Sequence, residues 1–388
     1  MIAAIALPRI MRIGGGALAE TKGVLDSLGL SRPLIVTDPM MVKIGLAERL
    51  QGMLGSAAIF SDTVPEPDSD AVDRARAAVR GEDCDCIVAL GGGSPIDTAK
   101  AVAVLAKQGG RMRDHKAPAL NNGPALPVIA IPTTAGTGSE ATRFTIVTDS
   151  ETHEKMLCIG ASFLPVAAIV DYELTLTCPA RLTADTGVDA LTHAIEAYVS
   201  RRANPFSDGF ALNAVRRIAA NLRRAYRDGA DREAREAMML GATEAGIAFS
   251  NASVALVHGM SRPIGAHFHV PHGLSNAMLL PVVTAYSVPA AERRYAECAR
   301  AMGLIQEGRD DASATAALLD ELRALNSDLA VPGPRAYGID EAKWNGLLPL
   351  MAEQALASGS PANNPMVPDA EAITALYRQV WAEGGQAR

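Results

Sequence analysis

Short apolar runs alternate with amphipathic stretches through the first half of the chain. The predicted strands are 33–38, 57–62, 86–93 and 127–134. The predicted helices are 40–54, 70–80 and 95–106. Strands that alternate with helices of this length indicate a parallel α/β sheet with right-handed crossover connections. Three more apolar segments between residues 144 and 171 lie closer together, which predicts an antiparallel extension of that sheet.

The pattern changes after Cys178 and Pro179. Alanine, leucine and arginine then recur at helical spacing over 180–250, 289–325 and 369–382, without comparable strand segments. The second half therefore predicts an all-helical domain. Because 388 residues are too many for one ordinary core, we expect two domains, 1–179 and 180–388.

Composition narrows the class of protein. The net charge of −7 and the isoelectric point near 5.6 argue against a nucleic acid partner, because such proteins present a basic face. No apolar run of about 20 residues exists to span a membrane. The apolar N-terminus lacks the basic start and cleavage site of a signal peptide, so we interpret it as a first strand. Five scattered cysteines favour a reducing compartment, and we expect a cytoplasmic protein.

A glycine-rich turn follows the strand predicted at 86–93. The backbone N–H groups of Gly92, Gly93 and Ser94, in front of a helix N-terminus, suit a pyrophosphate. Glycine is needed because a Cβ would keep the anion away from the backbone. Asp97 suits the polar start of the helix. The motif is neither GxGxxG nor a Walker sequence, so a purely structural turn is the alternative.

Two further segments suit a dinucleotide. Asp38 ends an early strand, where a carboxylate accepts hydrogen bonds from a ribose diol and repels a 2′-phosphate, which predicts NAD rather than NADP. The alternative for Asp38 is an ordinary helix N-cap. The segment PTTAGTGSE at 132–140 follows another strand, and its Thr133, Thr134 and Thr137 are candidate cofactor contacts.

Four of the seven histidines lie in the stretch HGMSRPIGAHFHVPH at 258–272. Histidine is the commonest metal ligand, so this crowding predicts a metal site. Upstream, Asp189 and His193 are four residues apart in an apolar helical segment, so both side chains leave one face. A buried carboxylate needs a partner, which a divalent cation supplies. With His258 and His272 they form one carboxylate and three imidazoles, which suit Fe²⁺ or Zn²⁺.

Together these motifs resemble the iron-containing (group III) alcohol dehydrogenases along essentially the whole chain. The motifs are GGGSPIDTAK, PTTAGTGSEAT, GVDALTHAIEAYVS, HGMSRPIGAHFHVPHG and NNP near Asn364. The resemblance implies an α/β dinucleotide-binding domain followed by an all-α metal-binding and catalytic domain, the dehydroquinate synthase-like fold. It also implies hydride transfer between NAD(H) and a primary alcohol, diol or aldehyde. A homodimer or larger homo-oligomer is common in the family.

The family's functional residues can be placed by motif. Its metal ligands fall on Asp189, His193, His258 and His272. Its coenzyme contacts fall on Asp38, Gly92, Gly93, Ser94, Asp97, Thr133, Thr134, Thr137 and Lys155. The candidates for the substrate pocket are Phe144, Ile146 and Phe249.

Two positions depart from the family pattern. Many relatives have a second histidine four residues after the third ligand, where this chain has Arg262. Arginine is a poor proton shuttle, but it suits holding a carboxylate or fixing the cofactor. His267, His269, water or ribose hydroxyls are then the candidate proton relay. The PNP segment of relatives is Pro65-Glu66-Pro67 here, which removes an amide donor and adds a charge.

Other functions stay open at this stage. A maleylacetate reductase or a hydroxyacid–oxoacid transhydrogenase keeps the fold and would place a substrate carboxylate near Arg262. A lyase similar to dehydroquinate synthase shares the architecture, but its metal set of one Glu and two His is not evident in this sequence. A non-catalytic metal or nucleotide binder is the third alternative.

Overall fold

The computed structural model describes residues 2–55, 57–306 and 308–384. The chain divides into two compact units, Ala4–Thr177 and a second that consists mainly of the residues from Cys178 onward. The first unit is α/β and the second is helical. The fold class predicted from the hydrophobic pattern is therefore confirmed.

The α/β unit is built on a six-stranded sheet in which all neighbouring strands are parallel. The strands of the unit are β1 (Ile10–Ile13), β2 (Pro33–Val36), β3 (Ala58–Phe60), β4 (Cys86–Gly91), β5 (Val128–Pro132), β6 (Phe144–Thr148), β7 (Lys155–Ile159) and β8 (Ala167–Val170). Its helices are α1 (Thr21–Leu28), α2 (Pro39–Lys43), α3 (Leu46–Leu54), α4 (Ser69–Gly81) and α5 (Gly93–Gln108). The strand order is β1-β8-β5-β4-β2-β3. Apolar residues of α4 and α5 pack on one face and those of α1 and α3 on the other.

The antiparallel extension of the main sheet predicted between residues 144 and 171 is wrong, although two of its three strands do pair antiparallel. Strands β6 and β7 pair antiparallel in a separate two-stranded sheet. Strand β8 instead lies in the main sheet, parallel to β1 and β5. The physical reason lies in the burial pattern, because β8 is buried at every position, whereas β6 and β7 alternate.

The single helix predicted over 40–54 is wrong, because the structure has two helices there. Helix α2 ends at Lys43 and α3 begins at Leu46. Gly45 lies between them with a φ of 73°, in the left-handed region that favours glycine. An isolated glycine does not end a helix by pattern alone, so the break was not evident from the sequence.

The helical unit is built around a buried helix, α6. Its helices are α6 (Ala180–Val199), α7 (Pro205–Arg227), α8 (Arg232–Ala252), α9 (Leu256–Phe268), α10 (His272–Ser287), α11 (Glu292–Ala301), α12 (Asp311–Asp328), α13 (Pro334–Tyr337), α14 (Glu341–Ala357) and α15 (Ala370–Glu383). Helix α6 packs against α7, α8 and α10. Gly187 permits the approach of α7, since a Cβ there would lie 2.3 Å from Leu222 Cδ1. Within the described ranges, no single helix is long and apolar enough to cross a membrane; α8 and α9 qualify only as a pair bent by 105°.

Candidate functional site

Four side chains from three helices of the helical unit converge on one point. Asp189 and His193 of α6, His258 of α9 and His272 of α10 offer ligand atoms that all lie within 4.8 Å of one another. Asp189 Oδ1 is 3.5 Å from His258 Nε2, 3.6 Å from His272 Nε2 and 3.9 Å from His193 Nδ1. Ligand atoms about 2.1 Å from a tetrahedral ion lie about 3.4 Å apart, so the spacing fits a divalent metal.

Local helix geometry explains how the four residues meet. Asp189 and His193 are one turn apart on α6 and leave the same face. The first turn of α10 approaches α6 closely at Gly273, where a Cβ would lie 2.2 Å from the backbone oxygen of Asp185. Only glycine fits there, and the neighbouring His272 is thereby brought beside Asp189.

The four-residue group is buried on one side and open on the other. The Asp189 side chain is 4% exposed, whereas that of His272 is 41% exposed. Burial alone would raise the pKa of Asp189, but the imidazoles of His193, His272 and His258 hold it well below its usual range. Burial disfavours the charged form of His258, yet its hydrogen bonds with Asp189 and Glu196 raise its pKa to about 9. The group therefore favours positive charge at its centre.

Asn276 is a member of this site that the sequence analysis missed. Its fully buried Nδ2 donates to Asp189 Oδ1 at 2.6 Å and lies 3.2 Å from His258 Nε2 and 3.3 Å from His272 Nε2. In the described part of the chain, no group pairs with its buried Oδ1. The amide of Asn276 therefore lies directly against three of the four candidate ligand atoms. The spacing of four residues from His272 was a signal that could have found it.

The three residues predicted for the substrate pocket lie in both units. The Phe249 ring stacks on the His193 ring, with 4.3 Å between centroids and an interplanar angle of 15°. Phe144 and Ile146 lie on the same half-buried face of β6 in the α/β unit. Phe249 is thus in direct contact with a member of the four-residue group.

The predicted pyrophosphate turn lies between β4 and α5. Gly92 is the N-cap of α5, and among the described residues no side chain caps this helix. A Cβ on Gly92 would lie 3.3 Å from Thr134 Oγ1, and a Cβ on Gly93 would lie 2.8 Å from Thr137 Cγ2. Thr133 N–H donates to the Gly91 carbonyl at 3.0 Å. The threonine segment therefore packs directly on the glycines, and this close packing is itself a reason for glycine at both positions.

Asp38 is an N-cap, and its two oxygens have different surroundings. Its Oδ1 accepts from the N–H groups of Met40 at 2.8 Å and Met41 at 3.1 Å, which caps α2. Its Oδ2 lies 3.2 Å from the position that a Cβ on Gly91 would take, so it faces the glycine turn. The cap that the sequence analysis named as the alternative is therefore present, and it uses one oxygen of the carboxylate.

Comparison with known proteins identifies the family. Residues 8–172 match the family described as iron-containing alcohol dehydrogenase, and residues 183–381 match the Fe-containing alcohol dehydrogenase family, C-terminal. The chain belongs to the iron-containing alcohol dehydrogenase family. It is accordingly an oxidoreductase, and the resemblance found in its motifs is confirmed.

Several members of the family match the chain over nearly its whole length. It is 38% identical to long-chain-alcohol dehydrogenase 1 of Geobacillus thermodenitrificans, covering 98% of this chain and 97% of the relative. It is 37% identical to the NAD-dependent methanol dehydrogenase of Bacillus methanolicus, covering 96% and 98%. The solved structure of a 1,3-propanediol oxidoreductase is 35% identical, with a TM-score of 0.93 over 98% of this chain and 100% of the other. A sulfoacetaldehyde reductase from Bifidobacterium kashiwanohense, solved with NAD⁺, is 29% identical, with a TM-score of 0.89 over 98% and 99%.

Two histidines of the stretch 258–272 lie outside the four-residue group of this iron-containing dehydrogenase. The half-buried His267 makes a 2.8 Å hydrogen bond through Nε2 to Gln354 Oε1. His269 is exposed and takes a φ of 55°, which ends α9. Its left-handed backbone turns the chain so that α10 begins at His272.

Arg262, the main departure from the family pattern, lies one turn after His258 on α9. It is the only residue from Leu256 to Gly265 that is not fully buried. Burial lowers the pKa of Arg262 to about 10, against the opposing charge of Glu196. The guanidinium therefore stays charged at neutral pH beside the candidate metal site.

Asp97 makes its contacts within the protein. Its Oδ1 accepts from Ser139 Oγ at 2.6 Å, and its Oδ2 accepts from the Ile146 N–H at 2.9 Å. The buried Lys100 was not predicted as a site residue. Its Nζ donates to Ser139 Oγ at 2.8 Å, Thr142 Oγ1 at 3.0 Å and the Phe144 carbonyl at 2.9 Å. Burial lowers the pKa of Lys100 to about 8. Asp97 and Lys100 thus hold the segment 139–146, which follows the threonines, against α5.

The second departure, Glu66, pairs with a residue predicted to contact the coenzyme. Lys155 Nζ lies 2.8 Å from Glu66 Oε1. Ser94 Oγ donates to the Pro65 carbonyl, and the Thr148 N–H donates to the Pro67 carbonyl at 2.7 Å. The segment 65–67 is thus attached both to the start of α5 and to the β6–β7 hairpin. The sequence did not show that Glu66 and Lys155 compensate each other.

Proposed function

We propose that this chain transfers a hydride between NAD(H) and a primary alcohol or diol, or the corresponding aldehyde, in a reaction that depends on a bound divalent metal. The convergence of Asp189, His193, His258 and His272 within 4.8 Å is the observation that supports this function most directly. Relatives named as long-chain-alcohol and NAD-dependent methanol dehydrogenases support an alcohol as the substrate.

The four converging residues would hold the metal. The family favours Fe²⁺, and Zn²⁺ is the second candidate, because borderline nitrogen and oxygen ligand sets accept both. When bound, the metal supplies a Lewis acid for an alcohol or carbonyl oxygen. The exposed side of His272 leaves an approach for the substrate, and Phe249 would place apolar carbons against His193.

The glycine turn would hold the coenzyme. NAD, when bound, supplies the acceptor or donor of the hydride. The residues proposed to contact NAD are Gly92, Gly93, Ser94, Thr133, Thr134, Thr137, Asp38 and Lys155. Asp97 would act indirectly, because both of its carboxylate oxygens accept hydrogen bonds from the protein. Phe144 and Ile146 remain predictions for the substrate pocket.

Proton transfer would involve His267, His269 or water, with Arg262 orienting the groups beside the metal. Arg262 remains protonated, so it cannot itself take a proton at neutral pH. R262H restores the imidazole that relatives have, and its pH–rate profile should gain an inflection between about pH 6 and 8. H267A or H269A should lose an inflection if that residue belongs to the relay. Unchanged profiles in both variants would exclude both histidines.

The alternative function, a maleylacetate reductase or a hydroxyacid–oxoacid transhydrogenase acting on a substrate that carries a carboxylate, is not favoured, because the matched relatives are named as alcohol dehydrogenases. Arg262 is the one residue that supports it. A charged, partly exposed guanidinium one turn from His258 suits such an anion. Initial rates with succinic semialdehyde and with butyraldehyde separate the two candidates. A kcat/KM for the acid that falls in R262A, while that for the neutral aldehyde stays unchanged, would favour the second.

We also propose that the protein is cytoplasmic and forms a homodimer or a larger homo-oligomer. Its five cysteines are free thiols, which suits a reducing compartment. Cell fractionation tests the first point, and light scattering of the purified protein tests the second. A monomer at micromolar concentration would contradict the oligomer.

The proposed function is tested by anaerobic purification and metal analysis, followed by assays with alcohols, diols and oxo acids and NAD(H). We expect about one metal ion per chain, because residues 2–55, 57–306 and 308–384 contain one such four-ligand group. We expect turnover with primary alcohols that is lost with the metal. Full activity of a metal-free sample would contradict the proposal.

A further inference from the structure

We propose that Glu196 is a positioning residue that orients His258, so that Nε2 of this ring, and not Nδ1, is presented to the metal. Glu196 lies on α6, seven residues after Asp189 and three after His193. The inference rests on the metal site of the proposed function. It adds to that site a residue outside the ligand set.

The contacts of Glu196 connect α6 with the start of α9. Its side chain is 4% exposed. Oε2 accepts from His258 Nδ1 at 2.7 Å and from the Ala255 N–H at 2.9 Å, while Oε1 accepts from the Val257 N–H at 2.6 Å. Three donors thus satisfy a buried carboxylate that would otherwise be costly to bury.

The two backbone contacts hold the segment from which His258 projects. Helix α9 begins after Ala255, which offers no side-chain cap. The preceding Ser253 has a φ of 77°, a conformation that is unfavourable for a residue other than glycine. A carboxylate from α6 therefore replaces the local N-cap and fixes the first turn of α9.

The side-chain contact fixes the imidazole itself. Because a carboxylate only accepts, the hydrogen bond places the proton of a neutral His258 on Nδ1. Nε2 then keeps its lone pair and lies 3.5 Å from Asp189 Oδ1, inside the ligand group. A carboxylate on the far nitrogen of a ligating histidine fixes its tautomer and makes it a stronger electron donor.

One carboxylate therefore performs two tasks that can be separated by experiment. A helix cap stabilises the protein whether or not a metal is present. A positioning residue also changes how tightly, and with what geometry, the metal is bound. Metal affinity and the ligand-field spectrum respond to the second task and not to the first.

The test compares wild type with E196Q, using Co²⁺ as the probe. The neutral amide keeps the size of the side chain but cannot accept from all three donors. We expect the Co²⁺ dissociation constant, measured by competition with a chelator, to rise by about 10- to 100-fold. We also expect the visible d–d bands to shift in position or intensity, and E196D to recover part of the affinity.

E244Q is the matched control. Glu244 is a buried carboxylate of the same unit, and it pairs with Arg217 at 3.0 Å. It lies outside the four-residue group. This variant also neutralises a buried glutamate, and it should leave both the Co²⁺ affinity and the spectrum as in wild type.

Three results would overturn the inference or its basis. If E196Q binds Co²⁺ as tightly as wild type, with the same spectrum and only a lower melting temperature of the metal-free protein, Glu196 is a helix cap alone. If wild type binds no metal, the proposed function itself fails. Should E196Q not fold, ¹⁵N-histidine NMR of wild type with Zn²⁺ decides: a proton on His258 Nδ1 supports the inference, and a proton on Nε2 refutes it.

Discussion

The candidate metal site and the candidate coenzyme site are built from different parts of the polypeptide. In the helical unit, Asp189 and the three imidazoles direct ligand atoms at one another within 4.8 Å, an arrangement that a cation would stabilise. In the α/β unit, glycines and the uncapped start of α5 form the turn. The half-buried Asp97 and the buried Lys100 beside that turn make their hydrogen bonds within the protein. The first site therefore depends on an ion, whereas the second depends on the shape of the backbone.

The largest expected effect is the loss of a ligand. D189A removes the only carboxylate of the group, so three neutral imidazoles are left without the negative charge that offsets the charge of a divalent ion. We expect metal content near zero and a fall in kcat/KM on the order of 10³-fold, since a Lewis acid contributes several kcal/mol. Metal analysis and initial rates with NAD measure both quantities.

D185A is the matched control for this loss. Asp185 lies one turn earlier on α6, and its carboxylate pairs with Arg181 at 2.6 Å rather than with the group. Its metal content should equal that of wild type. If D189A also kept its metal, metal binding would not depend on the Asp189 carboxylate. The two sites would then no longer differ in their dependence on side-chain ligands.

The next effect concerns stability. Ligand binding at 100 times its dissociation constant stabilises a folded protein by about 2.7 kcal/mol. Because the ion neutralises acceptors on α6, α9 and α10, hydrogen exchange after adding Co²⁺ to the chelated protein should slow most in those helices. Slowing of the same size in α5 would show that the metal stabilises both regions alike.

A smaller effect is expected at the glycine turn. G93A introduces a Cβ that would lie 2.8 Å from Thr137 Cγ2, so the turn must shift. We expect the dissociation constant of NADH, measured by fluorescence, to rise by about tenfold, or 1.4 kcal/mol. T137S removes that methyl group, and the double variant should regain part of the affinity.

The control for the glycine turn is G23A. Gly23 lies inside α1, where an added Cβ meets nothing within 4 Å. NADH affinity should stay unchanged in this variant. Equal loss of affinity in G23A and G93A would mean that the close fit of Gly93 against Thr137 is not what matters.

The smallest effect is expected from the ion pair beside the turn. E66Q removes the partner of Lys155, which leaves that lysine free for a coenzyme phosphate. A partly exposed ion pair contributes about 0.2–1 kcal/mol, so we expect NADH to bind at most about fivefold more tightly. E154Q, which breaks the pair of Lys116 and Glu154, is the control and should change nothing. Weaker binding in E66Q would contradict the proposed role of Lys155.

The contrast between the two regions also explains what the sequence predicts. Residue spacing on one helix determines which side chains share a face, so the pairing of Asp189 with His193 could be predicted. The structure brings these two residues together with His258 and His272. Helical spacing also places Glu196, three residues after His193, on the same side of α6. A ligating histidine needs a hydrogen-bond partner for its other ring nitrogen, so Glu196 could have been predicted as such a partner.

Contacts between distant segments were not predictable in this way. Glu66 and Lys155 are 89 positions apart, and their pairing depends on where the β6–β7 hairpin lies. Strand β8 lies in the main sheet because all of its residues are buried, and a strand that is buried on both faces belongs in a parallel sheet covered by helices. Gly45 separates α2 from α3 because its backbone is left-handed, with a φ of 73°. The pattern of apolar residues does not report the backbone conformation of a glycine.

Three members of the ligand group are buried, and only the ring of His272 is exposed. An ion would therefore meet the group first at that ring, which is 41% exposed, while the Asp189 side chain is 4% exposed. Exchange of the metal with solvent would then be most sensitive to changes at His272, whereas its affinity would depend on all four ligands.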